Sequence, residues 1–208
     1  MKGLLLKDMR ALKSTFTILA GFMLVYAVFG VVSDNSSMFT AVLAIIIMML
    51  PANSISYDEF YHWDRYVLTM PVSRKMVVQS KYILCFLLVG FMLVTGTVFV
   101  MLLDGSAADA LLSTMMVAAV SLMMATAALP CMLKWGAQRG RLVLCAVAGA
   151  AGAVMATGLM FLKDDTMTIG DAMVVLQDMI LLGTLLLTVI VVVVSYFIAL
   201  RLYEGKEF

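Results

Sequence analysis

The sequence has little charge and almost no histidine. Charged residues make up 13% of the 208-residue chain and hydrophobic residues 64%, and His62 is the one histidine. A typical soluble domain contains about 25% charged residues, so this composition excludes a water-soluble core and indicates that the bilayer is the solvent. The net charge of +1 also excludes an electrostatic nucleic-acid binder, and nucleic acid is not an expected partner.

Cysteine is equally scarce, with three residues that fall in or beside apolar runs. An odd number without paired spacing indicates neither a disulfide framework nor a zinc site, so no metal is expected. The phosphate-binding pattern G-x-x-x-x-G-K-[ST] is missing as well. The chain is therefore expected to bind no cofactor itself and not to be an enzyme.

Long apolar runs fill most of the remaining sequence. None of the six runs contains Asp, Glu, Lys, Arg or His. A charged side chain inside the bilayer costs at least roughly 2.5–3.5 kcal/mol, and ion-coupled carriers are typical of the proteins that keep one. The lack of ionisable residues therefore disfavours such carriers, and it disfavours intramembrane acid–base or metal-dependent hydrolases. The predicted spans are approximately Thr15–Val32, Met38–Ile55, Ile83–Leu103, Ala110–Leu133, Leu142–Leu162 and Met179–Leu200.

The positive residues indicate an orientation. Of 14 Lys and Arg residues, all except Lys163 lie in the terminal segments or in the segments that follow the second and fourth runs. The positive-inside rule places those segments in the cytosol. The prediction is an all-α integral membrane protein with six transmembrane helices, both termini cytosolic, in a single transmembrane domain over residues 1–208. The aspartates in the segments on the opposite side have two interpretations. They favour the release of a cationic cargo, or they remain there because the positive-inside rule keeps Lys and Arg out of those segments and does not affect acidic residues.

The first 13 residues read as a basic amphipathic helix. Leu5, Met9 and Leu12 form an apolar stripe among cations, which is typical of a helix lying in the membrane interface. A signal peptide fits poorly because no small-residue cleavage site follows. A plain anchor at the start of the first span is the simpler alternative.

The longest polar interruption is Ser56–Lys81. Ser56 and Glu59 have the spacing of a capping box, which predicts a helix that begins there. Because the residue before Pro71 is driven out of helical geometry, that helix should end by about Thr69. The interpretation is a short cytosolic amphipathic helix between spans two and three, with an ordinary interfacial loop as the alternative. Its predicted apolar face comprises Phe60, Trp63, Val67 and Met70.

Several shorter signals refine the spans. Ser73 is placed to cap the helix that enters the third span, and Pro51 should kink or loosen the last turn before the polar interruption. The segment Ser33–Ser37 is expected to be a tight turn. The segment Lys163–Asp178 is expected to be a loop, with a short interfacial helix around Met173–Leu176 as an option.

The fifth run is rich in small residues. Their four-residue steps allow helix backbones to approach closely, so the run should pack inside the bundle or form a dimer face. The residues are Ala148, Gly149, Gly152, Ala153 and Ala156.

Three stretches and the six-span pattern resemble type-2 ABC exporter permeases, in particular the small bacterial group of bacitracin-resistance and phenol-soluble modulin exporter permeases. The stretches are LLLKDMRALKS (Leu4–Ser14), SYDE (Ser56–Glu59) and WDRYVLTMPVSRKMVVQSKY (Trp63–Tyr82).

The resemblance implies a homodimer or heterodimer of permeases in a bacterial cell membrane, bound to two cytosolic ABC ATPase subunits that carry ATP and Mg. It implies that residues 56–81 form the coupling segment, with Pro71, Ser73 and Arg74 as a hinge into the third span. The implied cargo is an amphipathic or antimicrobial-type peptide or another hydrophobic molecule, and a non-transporting scaffold or immunity protein is the alternative. The implied ATPase contacts are Tyr57, Asp58, Glu59, Phe60, Trp63, Asp64 and Arg65.

Overall fold

The computed structural model describes residues 2–68, 73–142, 145–146, 149 and 169–204, and the regular structure in these ranges is α-helical. A further helical stretch, residues 137–142, follows α6. The helices are α1 (Lys2–Ala11), α2 (Lys13–Val32), α3 (Ser36–Phe60), α4 (Trp63–Leu68), α5 (Arg74–Asp104), α6 (Ala107–Trp135) and α7 (Ile169–Glu204).

Five of these helices are long and apolar enough to cross a membrane, namely α2, α3, α5, α6 and most of α7. Five of the predicted spans coincide with them, because long charge-free runs have no competing reason to leave the helical state in a bilayer. Most of the predicted span Leu142–Leu162 lies outside the described residues.

Two helices begin well before the apolar runs that they contain. α5 begins at Arg74, so Lys81 belongs to the helix of the third span. α7 begins at Ile169, and the expectation of a loop or a separate short helix is therefore wrong from residue 169 to 178. Hydropathy marks the part of a helix that suits the bilayer core, whereas the helix itself continues through good helix formers until a breaker is reached.

The expected capping box at Ser56 is also wrong. Ser56 lies deep inside α3 and its hydroxyl donates to the Ala52 carbonyl oxygen one turn earlier. α3 also continues past Pro51 to Phe60, so the proline is internal rather than in the last turn. The break comes instead at Tyr61 and His62, where His62 has a left-handed φ of 49°.

This break divides the predicted amphipathic helix. Only α4 remains as a separate helix, and the periodicity across the break no longer defines one face. Val67 is buried and Trp63 packs against the same core, whereas Phe60 is exposed.

Other local predictions are confirmed. The Ser73 hydroxyl accepts a hydrogen bond from the Met76 N–H and caps α5. The tight turn before α3 is present, and the Asn35 side chain caps α3 by accepting from the Ser37 N–H.

α1 presents a face that is shifted from the predicted one. Leu12 is fully buried and Leu5 packs against the core as expected, but Met9 is exposed, and Leu4 and Asp8 are buried as well. The buried positions 4, 8 and 12 recur every fourth residue, so they share one face of the chain. The stripe is displaced because Asp8 finds a charged partner inside the protein, as described below.

Contacts between α6 and α7 establish that these helices run in the same direction. The hydroxyls of Thr184, Thr188 and Ser195 meet α6 at progressively later positions, namely the Met116 sulfur and the backbone oxygens of Ala119 and Thr126. α5 is antiparallel to both helices. The ends of α6 and α7 therefore lie together.

One end of the bundle, called the polar end below, collects the charged segments. It comprises α1, the last turns of α3, α4, the first turns of α5 and the ends of α6 and α7. Asp8, Asp58, Lys81, Lys134 and Tyr203 all lie there.

Two hydrophobic cores hold the bundle. One joins α3, α5, α6 and α7 through residues such as Val78, Cys85 and Leu129. The other joins α3 and α5 to α2 through Leu12, Leu43 and neighbours. α2 buries only Gly30 and exposes a long apolar face.

Candidate functional site: a buried charge cluster at the polar end

Four charged side chains from three helices meet at the polar end, and they are called the charge cluster here: Lys7 and Asp8 from α1, Asp58 from α3 and Lys81 from α5. The Lys81 Nζ lies 2.9 Å from the Asp8 Oδ1 and 2.6 Å from the Asp58 Oδ2. Lys7 contacts both carboxylates, with its Nζ 3.1 Å from the Asp8 Oδ1. The cluster contains two positive and two negative charges and is neutral as a whole.

Burial makes this cluster unusual. The side chains of Lys81 and Asp8 are 3% and 2% exposed, and Lys81 also donates to the Ser54 hydroxyl at 2.7 Å. Charges that leave water pay a desolvation cost, so they are tolerated only with close partners. The cluster therefore holds α1 against α3 and α5. Separating one charged side chain from its partners would leave an uncompensated buried charge.

Trp63 connects the charge cluster to α4. The Lys7 ammonium lies 4.3 Å from the centre of the Trp63 ring, a cation–π contact. The Trp63 side chain also packs on the core that contains Val67. The buried indole N–H has no acceptor among the described residues. α4 is thus held by the flat face of Trp63 and by Val67.

Glu59 links α3 to the segment after α6. Its Oε2 accepts a hydrogen bond of 2.9 Å from the Ala137 N–H, where the helical residues 137–142 begin. A carboxylate suits a helix start because of the unpaired N–H groups there. Gly136 has a φ of +87°, and a Cβ at this position would lie 2.6 Å from the Glu59 Oε1. The positive φ therefore favours glycine at this position, and an added Cβ would also displace the Glu59 carboxylate from the Ala137 N–H.

The aromatic residues around the break divide into inward and outward groups. Tyr57 packs on the core, and its hydroxyl lies 3.3 Å from that of Thr15 in α2. Phe60, Tyr61 and Tyr66 are 76%, 65% and 61% exposed. The rings of Phe60 and Tyr61 meet edge to face, with centroids 5.1 Å apart. Three exposed aromatic side chains within residues 60–66 are the type of surface feature that binds another protein.

A cavity of about 230 Å³ opens between the helices beside the charge cluster. Asp58, Glu59, Lys81 and Lys134 contribute its polar wall, and Met132 and Tyr203 contribute part of the remainder. The chain thus leaves space where α3, α5, α6 and α7 meet.

The other predicted site residues lie partly outside the described residues. Ser73 caps α5, Arg74 begins it, and Pro71 is outside the described residues, so the hinge that the resemblance implies stays a prediction. Asp64 and Arg65 belong to α4, with side chains outside the described part. Gly149 is exposed, and the remaining small residues of the fifth run (Ala148, Gly152, Ala153 and Ala156) are also outside.

Sequence reasoning missed Lys7, Asp8 and Lys81 as parts of one site. A signal was present for Asp8, which is the only acid among the first 33 residues and interrupts a basic helix. Lys81 lies two residues before the apolar run Ile83–Leu103. A lysine beside the end of a membrane span is normally expected to extend its ammonium group to water.

Comparison with known proteins places the chain in a family. The family model described as ABC-2 family transporter protein matches residues 3–204. No curated protein and no solved structure matches the chain. Members of the ABC-2 family are membrane subunits of transporters, are generally not catalytic, and imply an ATPase partner. The match covers nearly the whole chain and agrees with the five candidate membrane-spanning helices: this multi-pass membrane protein belongs to the ABC-2 transporter family.

Proposed function

We propose that this chain is the permease subunit of an ATP-driven exporter, similar to bacitracin-resistance and phenol-soluble modulin exporter permeases. The observation that carries the proposal is the family match, together with the arrangement at the polar end. There the exposed aromatic residues stand on a segment that the charge cluster fixes to the spans. ATP and Mg would be bound by the partner subunits and not by this chain.

The proposed coupling runs in two steps. The ATPase contacts the outward residues Phe60, Tyr61 and Tyr66. The resemblance adds Asp64 and Arg65 to this contact. Tyr57, Asp58, Glu59 and Trp63 connect this contact surface to the bundle. Because Asp58 and Lys81 pair directly, a displacement of the end of α3 would move α5 rather than dissipate in a flexible loop.

A six-span topology is part of the proposal. α6 and α7 run parallel, so a chain that crosses the bilayer in α6 must cross back before α7. The apolar run Leu142–Leu162 is the segment available for that crossing. The distribution of Lys and Arg supports a cytosolic position for the polar end and both termini. The resemblance to bacterial permeases supports a bacterial cell membrane.

The cargo and assembly follow from the same chemistry. The apolar runs contain no charge, which suits amphipathic or antimicrobial-type peptides or other hydrophobic molecules. The exposed apolar face of α2 supports contact with lipid or with a second permease copy, identical or different.

The test uses the contact surface. The protein is co-expressed with each candidate ABC ATPase subunit of its own organism, and a pair that co-purifies is reconstituted. The substitution Phe60→Ala should lower the yield of the complex and the permease-dependent ATPase rate by about tenfold, as expected for an aromatic hot spot of at least ~1.4 kcal/mol.

The matched control is Phe197→Ala, which removes another exposed aromatic ring, 61% exposed against 76% for Phe60, from the apolar part of α7. It should leave complex formation unchanged. Equal behaviour of the two variants would contradict the proposed contact surface. Purification of the protein from its native membrane without any nucleotide-binding partner would favour the scaffold or immunity alternative.

A further inference from the structure

A second cation site lies near the polar end, on a different face of α3 from the charge cluster. Arg141, in the helical stretch after Ala137, donates to the Asn53 side-chain oxygen and, at 3.2 Å, to the Ser56 hydroxyl. Both acceptors are neutral, and the ion pairs formed by the described residues do not include Arg141. The charge cluster is neutral, whereas this guanidinium keeps its full positive charge in a fixed orientation.

An apolar crevice of about 320 Å³ begins at this guanidinium. Its wall on α3 consists of positions spaced by three and four, which form one face of the helix: Ile45, Met48, Met49, Ala52 and Asn53. The eight residue steps from Ile45 to Asn53 correspond to about 12 Å along the helix axis. The crevice therefore places one fixed cation at one end of a 12 Å apolar surface.

This surface is left open by the described part of the protein chain. Ile45 and Met49 are 55% and 50% exposed although they lie in the middle of a membrane-spanning helix. In a bilayer such side chains contact acyl chains. Methionine adapts well to flexible aliphatic partners, and a guanidinium binds phosphate oxygens in a bidentate manner.

We propose that this crevice is a binding site for one anionic phospholipid of the adjacent leaflet. Arg141 would bind the phosphate, Asn53 and Ser56 would hold the guanidinium in place, and the first part of an acyl chain would lie along Ile45 and Met49. The proposal does not depend on transport or on the ATPase, so it stands or fails separately from the proposed function.

The test uses the full-length protein in a neutral detergent, titrated with dioleoyl-phosphatidylglycerol. Binding is measured by native mass spectrometry and by the shift in thermal unfolding temperature. Loss of one charge-assisted interaction of ~1.5 kcal/mol or more should weaken phosphatidylglycerol binding by about tenfold in Arg141→Gln. Arg139→Gln, which removes an exposed arginine two residues earlier, is the matched control and should bind like the unaltered protein.

Titrations with two other ligands distinguish a lipid phosphate from free phosphate. Phosphatidylcholine, whose headgroup has no net charge, should bind more weakly than phosphatidylglycerol. Inorganic phosphate should give no shift, because it lacks the acyl chain that fills the crevice. Equal binding by Arg141→Gln and Arg139→Gln, or an equal response to inorganic phosphate, would overturn the proposal.

A chemical probe is available in the crevice itself. Cys145 is exposed and lines it, whereas Cys85 is buried, so Cys145 is the accessible thiol in a Cys131→Ser background. Phosphatidylglycerol should slow maleimide labelling of Cys145, and Arg141→Gln should abolish that protection. Unchanged labelling with saturating phosphatidylglycerol would contradict the proposal even where the affinity measurements agree with it.

Discussion

At the scale of single residues, the central feature is the pairing of Lys81 with two carboxylates. A lysine with 3% side-chain exposure is stable only because Asp8 and Asp58 lie within hydrogen-bonding distance. Removing one partner of such a group leaves an uncompensated charge, which costs about 3–5 kcal/mol in buried sites. Removing two opposite charges together restores neutrality and should cost less.

We therefore predict that Lys81→Met lowers the free energy of unfolding by about 3–5 kcal/mol, measured by denaturant titration in detergent micelles. The variant leaves Lys7 alone with two carboxylates. In Asp8→Asn with Lys81→Met, the Lys7–Asp58 pair remains and the cluster is again neutral. The double variant should accordingly be more stable than the sum of the single variants predicts.

The matched control is Lys13→Met, which makes the same replacement at an exposed lysine in the first turn of α2. It should change stability by less than about 0.5 kcal/mol. Strict additivity of the Asp8 and Lys81 replacements would show that the two side chains do not interact in the membrane-embedded protein.

At the scale of helices, α5 and α6 approach closely at Gly96. A Cβ on Gly96 would lie 2.7 Å from the Thr114 Cγ2. Gly90 lies on the same helix with no described atom within 4 Å of an added Cβ. The two glycines therefore give opposite expectations for the same substitution.

Gly96→Ala should destabilise the protein by about 1–3 kcal/mol through overpacking. Gly90→Ala should be neutral or stabilising by about 0.5–1 kcal/mol, because alanine favours the helix. Thermal unfolding of the purified protein measures both effects.

Thr114→Ser provides the test of the physical cause. It removes the clashing methyl group and keeps the hydroxyl that donates to the Ala110 carbonyl oxygen. Gly96→Ala combined with Thr114→Ser should recover most of the lost stability. If it recovers none, the contact between α5 and α6 is not the reason for the loss.

At the scale of the whole molecule, the parallel directions of α6 and α7 make a topological prediction. Single cysteines are placed at Asp109, Arg139 and Asp164 in a cysteine-free background. A membrane-impermeant maleimide added to intact cells should label positions 109 and 164. Position 139 should react only after permeabilisation, because it lies at the end that carries the Lys and Arg residues.

The informative position is 164. If it behaves like position 139, the chain does not cross the bilayer between α6 and α7, and the six-span proposal fails. If position 139 reacts from outside, the proposed orientation is reversed and an ATPase could not reach Phe60 from the cytosol.

The sequence by itself determined the class of the protein, the positions of five membrane-spanning helices, and caps such as Ser73. It also carried the resemblance that the family match supports at the level of the ABC-2 family. These features are local: hydropathy, helix propensity and cap spacing involve neighbours within a few positions. Local patterns failed where two local signals competed, as at Ser56, whose apparent cap lies inside a continuing helix.

Only the tertiary structure decided what the charged residues do. Asp8 and Lys81 are 73 positions apart, and Glu59 and Ala137 are 78 apart. A lone acid in a basic helix and a lysine at a helix start each have an ordinary solvent-exposed explanation. Their pairing exists because the packing of three helices removes both from water at one point, and a free energy that arises from burial is not encoded in the spacing of either residue.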